Sequence, residues 1–161
     1  MKALTIILPV VVLLSVGVAV VFWPQHQAQP GGTATASDAG VLEIEGARHR
    51  LSGVSSPKPG DQCTDEQGRS WDCGRQAMQA LQNLVAGKLI QCRLSETNRA
   101  LEDCFVGGKS LSEMMVRQGW AVTCPAGQAN YDAAERNARF LALGLWRGGV
   151  NPAVARGQCP R

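Results

Sequence analysis

The sequence predicts a small α+β barrel domain of about five strands and about three helices, carried behind an apolar N-terminal segment. Three observations point there. Short strand-like and helix-like patterns are interspersed over roughly 120 residues, which fits a small α+β barrel. An uncharged run from Ala3 to Trp23, rich in Val, Leu and Ile, precedes them. All six cysteines (Cys63, Cys73, Cys92, Cys104, Cys124 and Cys159) fall after that run.

The apolar run is long enough to cross a bilayer as a helix, at ~1.5 Å per residue over a core of about 30 Å. A cleaved signal peptide is the alternative. Its apolar region is usually roughly 7–15 residues and ends at small residues. This run is longer, and His26 is badly placed for a cut after Ala28. Trp23 suits a membrane interface, and membrane helices tolerate Pro9 and Gly17. Residues 1–23 are therefore expected to be an anchor. Lys2 precedes the run and no Lys or Arg follows until Arg48, which orients the domain away from the cytoplasm. The next stretch, PQHQAQPGGTATASDAG (24–40), has no apolar periodicity and predicts a flexible linker. The folded domain is then 41–161.

An even number of cysteines in an exported domain of this size implies three disulfides. A zinc site and free thiols are the rivals. The chain has no C-x-x-C, and its two histidines are His26 and His49. Six cysteines allow about 15 connectivities. Cys92 and Cys104 lie at nearly matched distances from a turn between two strands, which suits a cross-strand pair. Cys63–Cys73 would then staple a loop, and Cys124–Cys159 would hold the tail.

Within the domain, VLEIEG (41–46) alternates apolar and polar residues, and a second strand resumes at 47–51. Residues 55–72, with their prolines, glycines and charges, predict a loop. RQAMQALQNLVAG (75–87) places Ala77, Leu81, Leu84 and Val85 on one helical face, with Gly87 as a stop. KLIQCRL (88–94) and RALEDCFVGG (99–108) predict two strands around the turn SETN. KSLSEMMVRQG (109–119) predicts a helix with a Ser110/Glu113 capping box. WAVTC is a short strand. ANYDAAERNARFLALG (129–144) predicts a helix with Tyr131, Ala134, Ala138 and Leu141 on one face.

The motif HRLSGVSSPK (49–58) resembles the staphylococcal-nuclease (thermonuclease) family pattern R-L-x-G-[IV]-D-[AT]-P-E. LVAGKLIQC, NRALEDCFVGGKSLSEMMVRQGWA and YDAAERNARFLALGLW are similar, in order, to later family segments. The resemblance covers about Val41 to Trp146 and implies an OB-fold barrel with helices packed on it. The cysteines make exported Gram-negative members the better match. That places the domain in the periplasm, on a single-pass inner-membrane anchor through residues 3–23, or free in the periplasm or medium after cleavage.

Family enzymes cleave phosphodiesters with a carboxylate-held calcium ion, a general-base Glu and two arginines. The corresponding positions here depart from that pattern. The family's D-G-D-T cluster reads Asp38, Ala39, Gly40, Val41, so Gly40 replaces one metal-binding Asp. Ser55 replaces the other, and Lys58 replaces the Glu. Arg50 and Arg99 match the two arginines. The resemblance thus implies a degenerate site with no cofactor, in which Arg50, Arg99 and Lys58 line an anion-binding pocket or persist as relics. Single-stranded nucleic acid or an acidic polysaccharide is the expected polyanion. Some exported members are associated with succinoglycan (exopolysaccharide) biosynthesis, which suggests an envelope accessory role. The alternative is an active calcium-dependent nuclease with a rearranged metal site, for which Asp61, Asp65 and Glu66 are candidate ligands. A solvated loop face is the plainer reading of those three. His49 alternates with Arg50 and is expected at the surface. Trp71, Trp120 and Trp146 read as core or loop anchors rather than base-stacking platforms. Net charge is +3, with no dense basic run, so bulk charge does not indicate nucleic-acid binding.

Overall fold

The first strand, β1 (Gly31–Asp38), lies inside the stretch expected to be a linker. In the computed structural model, which describes residues 31–94, 102–124, 131–148, Ala155 and Cys159, β1 pairs with two neighbours. Ala34 faces Ile44 and Ala36 faces Leu42 on one side. Gly32 faces Ile90 and Thr33 faces Leu89 on the other. The linker expectation for 24–40 is thus corrected over 31–38, and the domain begins before residue 41. The reason is physical. Thr33-Ala34-Thr35-Ala36 has the two-residue period of a strand, but its inward side chains are only methyl groups, so hydropathy does not reveal it. Small residues are also needed there: a Cβ on Gly32 would come within 2.7 Å of the Ile44 side chain. Residues 1–30, including the expected anchor and linker residues 24–30, lie outside the described residues. Among the described residues no helix is long and apolar enough to cross a membrane.

The chain then runs through β2 (Val41–Ile44) and β3 (Ala47–Arg50). Glu45 and Gly46, both at positive φ (51° and 80°), make the two-residue turn between them, as the twist of a tight hairpin requires. β4 (Val54–Ser55) follows. Next, β5 (Gln62–Thr64) and β6 (Ser70–Asp72) form a small hairpin within the expected loop 55–72. α1 (Cys73–Val85) begins two residues earlier than its periodicity predicts, because Asp72 caps it by accepting the Arg75 N–H at 2.9 Å. Its buried face includes the predicted Ala77, Leu81, Leu84 and Val85.

β7 (Leu89–Leu94), β8 (Glu102–Val106) and β9 (Lys109–Ser110) come next, then α2 (Leu111–Arg117), β10 (Val122–Thr123) and α3 (Asp132–Phe140). A 3-10 turn at Gly144–Trp146 ends the described run of elements. Ser110 caps α2, its Oγ accepting from the Glu113 N–H at 3.3 Å. The Glu113 carboxylate turns instead to Arg117, at 2.6 Å. α3 is shorter than the predicted 129–144. Tyr131 and Ala134 pack on the core and Ala138 is buried, but Leu141 lies past the helix end and is exposed.

The sheet order is β3-β2-β1-β7-β8-β9. A parallel bridge from Leu51 to Glu102, with the Ser52 N–H donating to the Glu102 carbonyl at 3.0 Å, joins the end of β3 to β8. That contact closes β1, β2, β3, β7 and β8 into a five-stranded barrel. The barrel core is built on Leu42, Leu51, Leu81, Ile90, Leu111, Met115 and Val116. A second cluster gathers Cys73, Val122, Ala138, Leu145, Trp146 and Ala155. Trp71 and Trp120 pack against it edge to face, 6.3 Å apart, with the Arg147 guanidinium 4.2 Å over Trp71. Three disulfides are present: Cys63–Cys73, Cys92–Cys104 and Cys124–Cys159.

Candidate functional site

A pocket opens where β1 ends, β2 begins and β3 ends, lined by Asp38, Gly40, Val41, Arg50, Leu51, Val54, Ser55 and Ser56. Strand register builds it. Asp38 pairs with Val41, and Val41 in turn pairs with Arg50. The Leu51 N–H donates to the Gly40 carbonyl at 2.9 Å, drawing the β1–β2 turn over the end of β3. β4 is held by β10, with Ser55 opposite Val122.

The pocket therefore brings together Gly40, Arg50 and Ser55, three of the positions expected from sequence, and adds Asp38 and Ser56. Arg50 is exposed, and its guanidinium has no hydrogen-bond or ion-pair partner among the described residues. Ser56 is 7% exposed, and its Oγ has no partner among the described residues. The Ser55 hydroxyl is engaged elsewhere. It donates to the Ala155 carbonyl at 2.7 Å in a buried contact with the C-terminal tail. Ala155 is itself fully buried in the second core cluster.

Lys58 is not among the lining residues. It is exposed, and its backbone N–H donates to the Asp61 carboxylate at 2.7 Å. Arg99 lies outside the described residues. Asp61, Asp65 and Glu66 are not among the lining residues either. Asp65 serves the β5–β6 turn. It accepts the Arg69 and Gln67 backbone N–H groups at 2.9 and 3.0 Å and the Arg69 Nε at 2.8 Å. The Arg69 N–H bond is the main cause of a carboxyl pKa below the ordinary aspartate value. The surface expectation for His49 is corrected. The residue is only 8% exposed, and its Nδ1 lies 2.8 Å from Glu102 Oε2. The Leu51–Glu102 bridge sets β8 beside the end of β3 and closes the barrel, so the side facing away from Arg50 is interior.

Calcium is held by several hard, mostly charged oxygens. The lining supplies one carboxylate, Asp38, beside Gly40 with no side chain and Ser55 with its hydroxyl committed. These residues do not fit that donor set. Asp38 was visible in sequence as the first residue of the degraded acidic cluster. The Ala155 contact had no sequence signal, because a backbone carbonyl one hundred residues away leaves no pattern.

A family model described as staphylococcal nuclease homologue matches residues 48–148, more than half of the chain. The chain is also 28% identical over 130 residues to the succinoglycan biosynthesis protein ExoI of Rhizobium meliloti (strain 1021). That alignment covers 77% of this chain and 68% of the relative.

Proposed function

The chain belongs to the staphylococcal nuclease family, and on that premise we propose that it is a catalytically degenerate member. It acts as a membrane-tethered, periplasmic binding or accessory protein in exopolysaccharide biosynthesis. The reading rests on the state of the pocket: Ser55 gives its hydroxyl to Ala155, while the Arg50 guanidinium has no partner among the described residues. Family hydrolysis needs a metal to polarise the phosphate and a carboxylate to activate water. Gly40, Ser55 and Lys58 offer neither. Arg50 and Ser56 line the same pocket, and neither side chain has a partner among the described residues, which suits a carboxylate or phosphate oxygen. The similarity to a succinoglycan biosynthesis protein favours an acidic polysaccharide over single-stranded nucleic acid. The apolar run at 3–23 and the three disulfides support a tethered domain in an oxidising compartment.

The test uses the purified protein with plasmid DNA or RNA, with and without calcium, and then with polygalacturonate and oligothymidylate at low and high salt. The expected result is no cleavage, with calcium-independent binding of polygalacturonate that weakens steeply as salt rises. Arg50→Ala should lower that affinity about tenfold, the value of one charge-assisted contact of about 1.4 kcal/mol. Calcium-dependent cleavage would overturn the reading in favour of a nuclease with a rearranged site, for which the retained Asp38 is the supporting observation. Equal binding by wild type and variant would remove the anion site and leave a purely structural module.

A further inference from the structure

We propose that the C-terminal end of α3 is a membrane-docking edge: Phe140, Leu141 and Leu143 enter the headgroup region of an anionic phospholipid bilayer, and Arg136 and Arg139 meet its phosphates. The proposal rests on the tethered reading for the nearness of a bilayer, and on the surface itself for the docking. Phe140 is 86% exposed, and Leu141 and Leu143 are 52% and 36% exposed. Single exposed apolar residues are ordinary. Three large ones within four positions, led by a phenylalanine this bare, mark an interaction surface. The surface is also held in shape. The Leu143 N–H donates to the Ala138 carbonyl at 2.9 Å and the Ala142 N–H to the Arg139 carbonyl at 3.1 Å. With Ala142 at φ 49°, these are the bonds of a Schellman motif, here with alanine in the left-handed position where glycine is usual. Just beyond, the Leu145 N–H donates to the Gly119 carbonyl at 2.9 Å, which seats the chain against the end of α2. Ala138 is fully buried, and two helical residues turn about 200°, so Phe140 faces away from the core.

Charge selects the occupant. From Ala133 to Leu143 the sequence holds Arg136, Arg139 and a single acid, Glu135. Glu135 is buried, and its carboxylate accepts the Thr123 N–H at 2.7 Å. Both arginines are exposed. Arg136 lies one helical turn before Phe140, and so on the same side of α3. The Arg139 guanidinium lies 4.9 Å over the Trp146 ring, which keeps that charge beside the apolar end. Phenylalanine and leucine flanked by arginine suit the boundary between acyl chains and headgroups, where apolar area and attraction to anionic lipid add. Guanidinium groups donate paired hydrogen bonds to phosphate oxygens. A second copy of the chain fits less well: a two-fold contact through this edge would set its arginines against the same arginines of the partner.

The experiment reconstitutes the full chain in vesicles and follows Phe140→Trp by its difference from wild type. Phosphatidylglycerol brominated on its acyl chains is compared with phosphatidylcholine brominated in the same way. The expected result is a blue-shifted emission from position 140, quenched by the brominated phosphatidylglycerol. That quenching should be lost as salt rises or as phosphatidylcholine replaces the anionic lipid. Leu141→Ser/Leu143→Ser and Arg136→Gln/Arg139→Gln, each added to Phe140→Trp and checked for fold by circular dichroism, should lose most of it. Arg136→Gln alone should lower the ratio of docked to free domain about fivefold, and it decides the matter where a double variant does not fold. Emission at 140 that is unshifted and unquenched, or quenched equally by both lipids at every salt concentration, would overturn the proposal. So would a wild-type dimer that Leu141→Ser/Leu143→Ser dissolves while position 140 stays unquenched, since the edge would then cover a second copy. Alkaline carbonate extraction of the same vesicles tests the tether separately. A chain released by carbonate would sink the tether, and docking is then judged by the same quenching with the chain added to preformed vesicles.

Discussion

Serine at position 55 turns its hydroxyl into the protein and donates to a carbonyl one hundred residues away. Removing that donor takes from the buried Ala155 carbonyl the one partner it has among the described residues, which costs about 1–3 kcal/mol. Ser55→Ala should therefore lower the thermal midpoint measurably. Ser55→Asp should lower it further, because a carboxylate would face the same carbonyl oxygen in a buried place. Limited proteolysis should then cut the tail faster in both variants, and most in the Asp variant. Comparable melting and cleavage in all three proteins would show that the contact does not hold the tail. The pair of substitutions also bears on the loss of the family carboxylate: an acidic residue at 55 is expected to displace Ala155 from its buried position. Sequence alone exposed half of this. The missing Asp was legible in the ordered motif RLSGVSSPK, but its replacement by a tail contact was not. His49 misled for a related reason. Alternation assigned it correctly to the face opposite Arg50, and only the closure of the barrel shows that face to be interior.

At the scale of elements, helix ends and turns depend on a few carboxylates. Asp72 caps α1 and pairs with Arg75 Nε at 2.9 Å. The Arg75 side-chain hydrogen bond is the main cause of its lowered pKa, and the Arg75 backbone N–H adds to it. A carboxyl with a folded pKa below its unfolded one stabilises the fold at pH values above the unfolded value, about 3.9 for aspartate. That stabilisation disappears as pH falls through the lowered folded value. Asp65 in the β5–β6 turn has the same sign. Denaturant midpoints measured from pH 5 down to pH 2 (roughly the window in which such carboxylates titrate) should fall less steeply in Asp72→Asn than in wild type. Asparagine keeps the cap but does not titrate. The two carboxylates are half-buried but their partners Arg69 and Arg75 are exposed, so added salt should shrink the difference. An unchanged slope in the variant would count against the pair. The helices α1 and α2 were readable because their apolar spacing and caps are local. β1 was not, because its evidence is two-sided pairing to β2 and β7, which no local pattern of Gly, Ala and Thr displays.

For the molecule as a whole, the barrel and the second core cluster are joined by covalent and tail contacts. Cys124–Cys159 closes a loop with a sequence separation of 35 residues. The loop-entropy relation puts its contribution at about 4 kcal/mol. Cys124→Ala/Cys159→Ala should lose stability on that order, and its tail should become protease-sensitive as in the Ser55 variants. Equilibrium unfolding under non-reducing conditions would measure this, and an unchanged midpoint would mean that Ala155 packing alone retains the tail. The barrel itself was legible from the ordered set of family-like segments. The pocket's contents were less so, since they depend on which ends of β1, β3 and β4 meet in space.

The pairing of Gly31 with Gln91 has a further consequence for where the domain can act. On the tethered reading, only residues 24–30 separate the end of the apolar run from the first paired residue. Seven residues at full extension span at most ~25 Å. The leash would thus be shorter than the bilayer core is thick, about 30 Å. Such a domain could not patrol the compartment. Its pocket would meet only what is made at, or passes through, the membrane face directly beneath it.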